Sequence, residues 1–433
     1  MNFIFFIIVL IAFLSAGWRQ INWVTGEGDI SPMESLSRAM VESATGSVEL
    51  ALGLVGVMTL FLGLMKVAEA GGMLTVLARL IRPLMVRLFP DVPPEHPAMG
   101  SMILNMSANA LGLGNAATPF GIRAMQELDK LNSRHGTATD SMVLFLAINT
   151  SNVTLLPTGV IALRAAAGSV DPAGILPTTL FATMCSTGIA ILAAKMYSRT
   201  FMIKRTRPFE TEGEGNGSPP SEKDGLTDDS SNGYPVWVSW IAVCALMSII
   251  PLTIFFGKSI SPWIIPALML GFLAFGVARR VRVYEIFVEG AKEGFQVAIR
   301  IIPYLVAILV AVGMFRASGA METMVRILGS WTDKVGLPTE ALPMALLRPL
   351  SGSGAYGIMA SIINDPGIGP DSYTGYLVST LQGSTETTFY VLAVYFGAVQ
   401  VRRIRHALAA ALTADLAGIF AAVVICSYLY GGQ

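Results

Sequence analysis

Charge is what this chain has least of. Asp, Glu, Lys and Arg make up 13% of its 433 residues, where a soluble domain carries about 25%. That shortage excludes an ordinary soluble enzyme. The 29 basic residues balance the 29 acidic ones, so no global charge draws the chain to nucleic acid. Cysteine is scarce too. Cys185, Cys244 and Cys426 all fall inside apolar runs, which excludes a disulfide framework and leaves them as small buried hydrophobes. His96, His135 and His406 are scattered near polar stretches. No His/Cys cluster at ligand spacing exists, so no metal site is expected. No membrane run carries a His–acid pair, HExxH or GxSxG, and GSGAYG at 352–357 lacks the Lys-Ser/Thr ending of a phosphate loop. Without a nucleophile and its base the chain is read as no enzyme, and no cofactor is expected.

Apolar residues are there in abundance, at 53% with a mean hydropathy of +0.62. They gather into runs near the length that crosses a bilayer. The first half has runs at 3–17, 48–66, 141–163 and 173–195. The second has them at 237–256, 261–278, 297–315, 374–396 and 407–428. The reading is an all-α polytopic membrane protein. Between runs, 72–90 carries Arg79, Arg82 and Arg87 at helical spacing and is expected to lie amphipathically at the interface; 320–335 matches it. Residues 208–235 are rich in Gly, Ser, Pro and acids and too poor in apolar residues to fold, so a disordered cytoplasmic linker is expected there. It divides the chain into membrane repeats 1–207 and 236–433, the second with one extra helix at its start.

The halves are one motif written twice. VESATGSVELALGLVGVMTLFLGLMKVAEAGGM (41–73) parallels VEGAKEGFQVAIRIIPYLVAILVAVGMFRASGAM (288–321). Each then continues with an amphipathic helix, a Gly-broken stretch, a span with a polar centre and a last span. Basic clusters at Lys195–Arg207, Arg279–Lys292 and Arg402–Arg405 all face the cytoplasm if 98–125 and 341–363 are re-entrant. The repeats then run in opposite directions across the bilayer. Inverted repeats with broken segments in matching positions point to a transporter-like architecture with its site near the midplane.

Four polar segments interrupt the apolar runs: 105–120, 149–159, 348–357 and 382–390. Irregular backbone at membrane depth survives only inside protein or beside a water-filled cavity. Candidate solute-lining residues are Asn109, Asn115, Thr118, Asn149, Thr150, Ser151, Asn152, Ser351, Ser353, Ser384, Thr385, Glu386 and Thr387. For several of these, the alternative is simple satisfaction of hairpin backbone. Glu386 is read as the one acid well inside a span, costing roughly 2.5–3.5 kcal/mol if unpaired, with Arg348 as its counter-charge. The pair either binds a coupling cation (Na+ or H+) or a solute hydroxyl, or is a buried structural pair. Tyr356 and Tyr390 are candidates for stacking on a flat solute, or for packing and interface anchoring.

GLGNAATPFGIRAM (112–125) with NTSNVTLLPTGVIALRAAAG (149–168) resembles spore maturation protein A. RPLSGSGAYGIMASIIND (348–365) with QGSTETTFYVLAVYFGAV (382–399) resembles spore maturation protein B. Both belong to the Gate, or nucleoside-recognition, group, which is similar to parts of concentrative nucleoside transporters. The resemblance implies re-entrant hairpins and unwound helices that hold solute and coupling ion, with Glu386 at such a position. The expected function is a transporter or permeation gate for a small polar solute, nucleoside-like or an organic anion. The alternative is a non-transporting membrane scaffold. The expected setting is the bacterial inner membrane, multi-pass, with lipid and solute as partners, no nucleic acid, and a homo-oligomer open.

Overall fold

The computed structural model describes residues 2–24, 30–112, 114–200, 265–332 and 335–431, with scattered positions between 234 and 263. The expected linker 208–235 (apart from Tyr234 and Pro235) and most of the extra helix 237–256 lie outside the described residues. Among the described residues all regular structure is helical, apart from a single bridge between Thr137 and Arg403.

The first half comprises α1 (Asn2–Ile21), α2 (Pro32–Ala70), α3 (Met73–Leu88), α4 (Pro97–Ala110), α5 (Gly114–Lys130), α6 (Asp140–Thr150), α7 (Thr158–Ala166) and α8 (Ile175–Thr200). The second comprises α9 (Ile265–Ala278), α10 (Val283–Ala317), α11 (Ala320–Thr332), α12 (Leu342–Leu347), α13 (Gly352–Ile363), α14 (Tyr373–Ser384), α15 (Thr388–Ala398) and α16 (Ala407–Tyr430). Hydroxyl caps fix several starts. Ser31, Thr139, Ser351 and Ser372 accept from the backbone N–H of Glu34, Met142, Gly354 and Gly375, satisfying amides that helix N-termini leave free.

The apolar runs at 141–163 and 374–396 are not continuous helices. Each breaks at its polar centre, between α6 and α7 and between α14 and α15. The stretches 98–125 and 341–363 each fold into two helices with a turn between. Two described helices, α8 and α16, are long and apolar enough to cross a membrane. A third span would be the end of α2 with α3, which bend by 68° at Gly71–Gly72. α2 and α10 are longer than their apolar runs, at 39 and 35 residues. At about 1.5 Å per residue both exceed the roughly 30 Å hydrocarbon core.

Equivalent helices of the two halves pack against each other, and they run antiparallel. Along α2 and α10, Gly290 meets Leu62 and Gly63, Gly294 meets Met58 and Thr59, and Gly313 meets Ala39 and Ser43. Contact positions rise in one helix as they fall in the other. Gly294 is required by this approach: a methyl there would lie 2.8 Å from the Met58 carbonyl oxygen. The α8–α16 pair repeats the pattern. Tyr430 Oη donates to Gly174 O at 2.8 Å, joining the end of α16 to the start of α8, and Ser186 Oγ donates to Ala414 O at 2.8 Å near the middle. Repeats whose matching helices pair antiparallel are related by an axis perpendicular to those helices, which is inverted topology.

The core is exchanged between halves. One buried cluster joins the first hairpin (Met99, Met102, Met125) and α6 to Val391, Tyr395 and Phe396 of α15. The other joins the second hairpin (Ile358, Met359, Ile362) and α14 to Val160, Ile161 and Leu163 of α7. Each hairpin therefore packs against the far arm of the other half's broken span. The buried face of α16 is a small-residue stripe of Ala410, Ala411, Ala414, Gly418, Ala421 and Ala422, the composition that lets membrane helices approach closely.

Candidate functional site

The four breaks meet at one place. In the first half the hairpin turn touches the span break through Leu155 N–H to Ala110 O, 2.9 Å. In the second half the matching bond is Phe389 N–H to Pro349 O, 3.2 Å. The two span breaks then touch each other, Glu386 N–H donating to Thr150 O at 3.0 Å. Backbone groups that the interrupted helices leave unpaired are thus used to join the four segments. Gly112, at φ +76°, is needed here twice over: the turn is left-handed, and a Cβ would lie 2.5 Å from Leu156 O.

One side of the crossing is neutral. Asn109 Nδ2 donates to Asn149 Oδ1 at 3.0 Å, and Asn149 Nδ2 to Phe145 O at 2.9 Å. Tyr395, from the other half, donates its hydroxyl to Asn149 Oδ1 at 3.3 Å and accepts from Asn105 Nδ2 at 3.1 Å. Thr150 and Ser151 return their hydroxyls to Ala147 O, while Ser151 O accepts from Thr187 Oγ1 of α8. The Asn152 side chain is buried and makes no hydrogen bond among the described residues. Thr118 is half-buried. Asn115 and Ser353 lie in described helices, but their side chains fall outside the described residues.

The other side is charged. Arg348, between α12 and α13, is buried and gives most of its donors to the break of the span. Nε and Nη2 reach Gln382 O at 3.3 and 3.1 Å, Nη2 also reaches Thr385 O, and Nη1 reaches Thr387 Oγ1 at 3.3 Å. The Glu386 carboxylate stands 3.8 Å from Nη2 with its side chain 48% exposed. Ser351 is spent as the cap of α13, and Ser384 Oγ returns to Leu381 O at 3.3 Å. Tyr356 donates to Gly159 O at 2.9 Å and serves the contact between halves. Tyr390 is exposed.

Three residues outside the candidate set matter. Glu386 is not the one acid inside a span, as the sequence reading had it: Asp415 lies within α16 and is buried, taking a 2.6 Å hydrogen bond from Thr388 Oγ1. Tyr395 bridges two asparagines of the other half. Arg164, at the end of α7, is fully buried and clasps the loop before α14. It donates to Pro370 O (2.6 Å) and Ser379 Oγ (3.3 Å), pairs with Asp371 (3.1 Å), and lies 4.2 Å over the Tyr376 ring. Where α15 runs toward α16, Arg405 likewise clasps the start of α6 through Asp140 at 2.7 Å. An ionisable residue inside an apolar run is a functional signal, and that signal was available for Asp415. Tyr395 and Arg164 carry no such local mark.

A separate cavity of about 730 Å³ lies between α10, α11 and the second hairpin, lined mainly by apolar side chains with Arg316, Glu322 and Asp365 among them. It does not include Glu386 or either span break, although Leu350 of the second hairpin turn lines it.

Comparison with known proteins agrees with the repeat. The nucleoside-recognition (Gate) family profile matches residues 51–167 and 298–402, just over half the chain. Spore maturation protein B of Bacillus subtilis (strain 168) is 46% identical over 167 residues, 39% of this chain and 93% of that protein. Spore maturation protein A of the same organism is 44% identical over 165 residues, 38% of this chain and 84% of that protein. Among solved structures, CNTnw in an outward-facing state aligns over 98% of this chain and 91% of its own, at 13% identity and TM-score 0.37. The YdaH transporter of Alcanivorax borkumensis aligns over 98% and 97%, at 16% identity and TM-score 0.38. The chain, a membrane protein of two inverted repeats, belongs to the nucleoside-recognition (Gate) family and unites in one polypeptide relatives of spore maturation proteins A and B.

Proposed function

We propose that the protein is a non-enzymatic, multi-pass transporter or permeation gate of the bacterial inner membrane, and that a small polar solute binds where the breaks cross. One observation carries this reading: the Glu386–Thr150 crossing, which brings four interrupted segments together beside a half-exposed carboxylate. The exposed charged group on that face is an acceptor, the Glu386 carboxylate. Arg348 is buried and engaged by carbonyls, so it offers little to an anion. A donor-rich solute, such as one carrying ribose-like hydroxyls or an ammonium group, fits better than an organic anion. Coupling to Na+ or H+ is part of the proposal, with the Glu386–Arg348 pair as its nearest charges.

The test is thermal stability of the purified chain against small polar solutes, with and without sodium and across pH. A ligand at 100 times its Kd stabilises by about 2.7 kcal/mol. The expected result is a shift with a hydroxyl-rich or cationic solute that disappears in Glu386→Gln while the variant stays folded. A well-folded sample that answers to no solute, cation or pH would favour the second reading, a non-transporting scaffold. The names of the two spore maturation relatives support that reading.

A further inference from the structure

Asp415 lies on α16, away from the exposed side of the crossing, and its surroundings are unusual. It is 2% exposed, in the middle of the small-residue face of α16. Thr388 Oγ1 holds Oδ2 at 2.6 Å, whereas Oδ1 is buried and has no hydrogen-bond partner among the described residues. The neighbouring elements bring few charges. From the second hairpin comes Arg348, within electrostatic reach of Asp415. From the break comes Glu386, itself paired with Arg348. From α8 comes Ser186, next in sequence to the thiol of Cys185; α8 carries no acid, and its Lys195, Tyr197 and Arg199 lie toward its end. Of the other helices packed on α16, α6 carries Asp140, paired with Arg405, and α14 and α15 carry Tyr373, Tyr376, Tyr390 and Tyr395 and no charge. Along α16 the nearest titratable groups are His406 and Cys426, roughly 13–17 Å away at 1.5 Å per residue.

An ionised carboxylate buried this deeply needs donors on both oxygens or a direct counter-charge. Among the described residues Asp415 has one donor, and the cation near it, Arg348, is committed to Gln382, Thr385 and Thr387. We propose that Asp415 is a proton-binding site. The arrangement described here holds it as the carboxylic acid, with the proton on Oδ1. When Arg348 leaves the carbonyls of the break and turns to α16, Asp415 releases that proton to water and becomes the carboxylate partner of Arg348. Arg348 then stands between two acids, Glu386 on the exposed side and Asp415 on the buried side, and one proton accompanies its exchange. The use of this proton in transport rests on the proposed function; the existence of the site does not.

Infrared difference spectroscopy on the full chain in liposomes, titrated from about pH 4 to pH 9 around the reference carboxyl values, tests the site. The expected signal is a protonated-carboxyl C=O band that vanishes on alkalinisation. It should be absent in Asp415→Asn and present in Glu386→Gln. Should Asp415→Asn fail to fold, Thr388→Val provides the second handle: it keeps the acid, removes its one donor, and should move the band to higher frequency. No titrating carboxyl band in the wild-type protein, or a band unchanged in both Asp415→Asn and Thr388→Val, overturns the proposal. A band assigned to Asp415 in a protein that answers to no solute would leave the proton site standing and remove the transport reading. Solute binding without the band would do the reverse.

Discussion

Replacing Arg164 by alanine should destabilise the fold more than losing any surface ion pair, and the structure says by how much. The guanidinium is wholly buried and touches both halves. Its removal leaves the carbonyl of Pro370 and the hydroxyl oxygen of Ser379 without that donor, while Asp171 O keeps the Gly174 N–H. An orphaned buried polar group costs about 1–3 kcal/mol. The stacking on Tyr376 at 4.2 Å goes as well, and a desolvated cation–π contact is worth about 2 kcal/mol. Asp371 adds little to the loss. It is a third exposed and keeps Ser169 Oγ at 2.5 Å and Val170 N–H at 2.7 Å. Two such groups and the lost stacking sum to about 4–8 kcal/mol before the site relaxes, and the net effect expected is about 3–5 kcal/mol, the range for breaking a buried pair from one side. Arg38→Ala is the control, since its pair with Glu34 is more than half exposed on both sides and should cost about 0–1 kcal/mol. Thermal unfolding in detergent, with Arg164→Ala, Asp371→Asn and the double variant as a cycle, makes the measurement. If Arg164→Ala melts with Arg38→Ala, the clasp does not hold the halves together and the reasoning fails.

Two further outcomes follow from the geometry. Gly112→Ala should cost at least about 1–3 kcal/mol, because the positive φ and the 2.5 Å approach to Leu156 O both oppose a side chain; equal melting of variant and parent would contradict the hairpin turn as described. Burial holds His406 below its ordinary value of 6.5, with Arg405 beside it acting the same way against Asp140. The unfolded chain therefore takes up a proton that the fold resists, so stability should fall as pH drops below about 6.5, by up to about 1.4 kcal/mol per pH unit; His406→Gln should flatten that slope in a melting-temperature series.

What could be read from the sequence was local. Gly112, Asn115 and Pro119 within one apolar run, or Ser384-Thr385-Glu386-Thr387 within another, mark broken membrane segments because no lipid-facing helix tolerates them. The repeat fixed which breaks correspond. The length of α2 and α10 was hidden, since their polar ends continue the helix with ordinary helix formers and no apolar signal. What joins the halves was hidden for another reason. Arg164 reads as a basic residue at a helix end, and Tyr395 as one more aromatic in an apolar run. Their partners lie more than 200 residues away, and no short-range pattern announces such a contact. Asp415 is different: an acid between Ala414 and Leu416 is visible in the sequence, but it stands alone in its apolar run, without the cluster of polar neighbours that surrounds Glu386.

The charges at the crossing break the symmetry that the backbone keeps. Antiparallel pairing of equivalent helices places the two span breaks together and repeats the same hairpin-to-break hydrogen bond in each half. The first break answers with Asn149-Thr150-Ser151-Asn152, all neutral, and α8 has no acid where α16 has Asp415. Arg348, Glu386 and Asp415 all belong to the second half. One guanidinium can balance one carboxylate, not two. With both acids ionised the group carries a net negative charge in surroundings that penalise it. Neutrality therefore requires a positive charge from outside the trio: a proton on one acid, a cation, or a solute that carries an ammonium-like group to Glu386. On the proposed exchange, that charge would free Arg348 to pair with either acid, tying the second hairpin either to its own span break or to α16. If Asp415 is the proton site proposed above, the asymmetry would give a symmetric scaffold two distinguishable arrangements whose balance depends on what is bound.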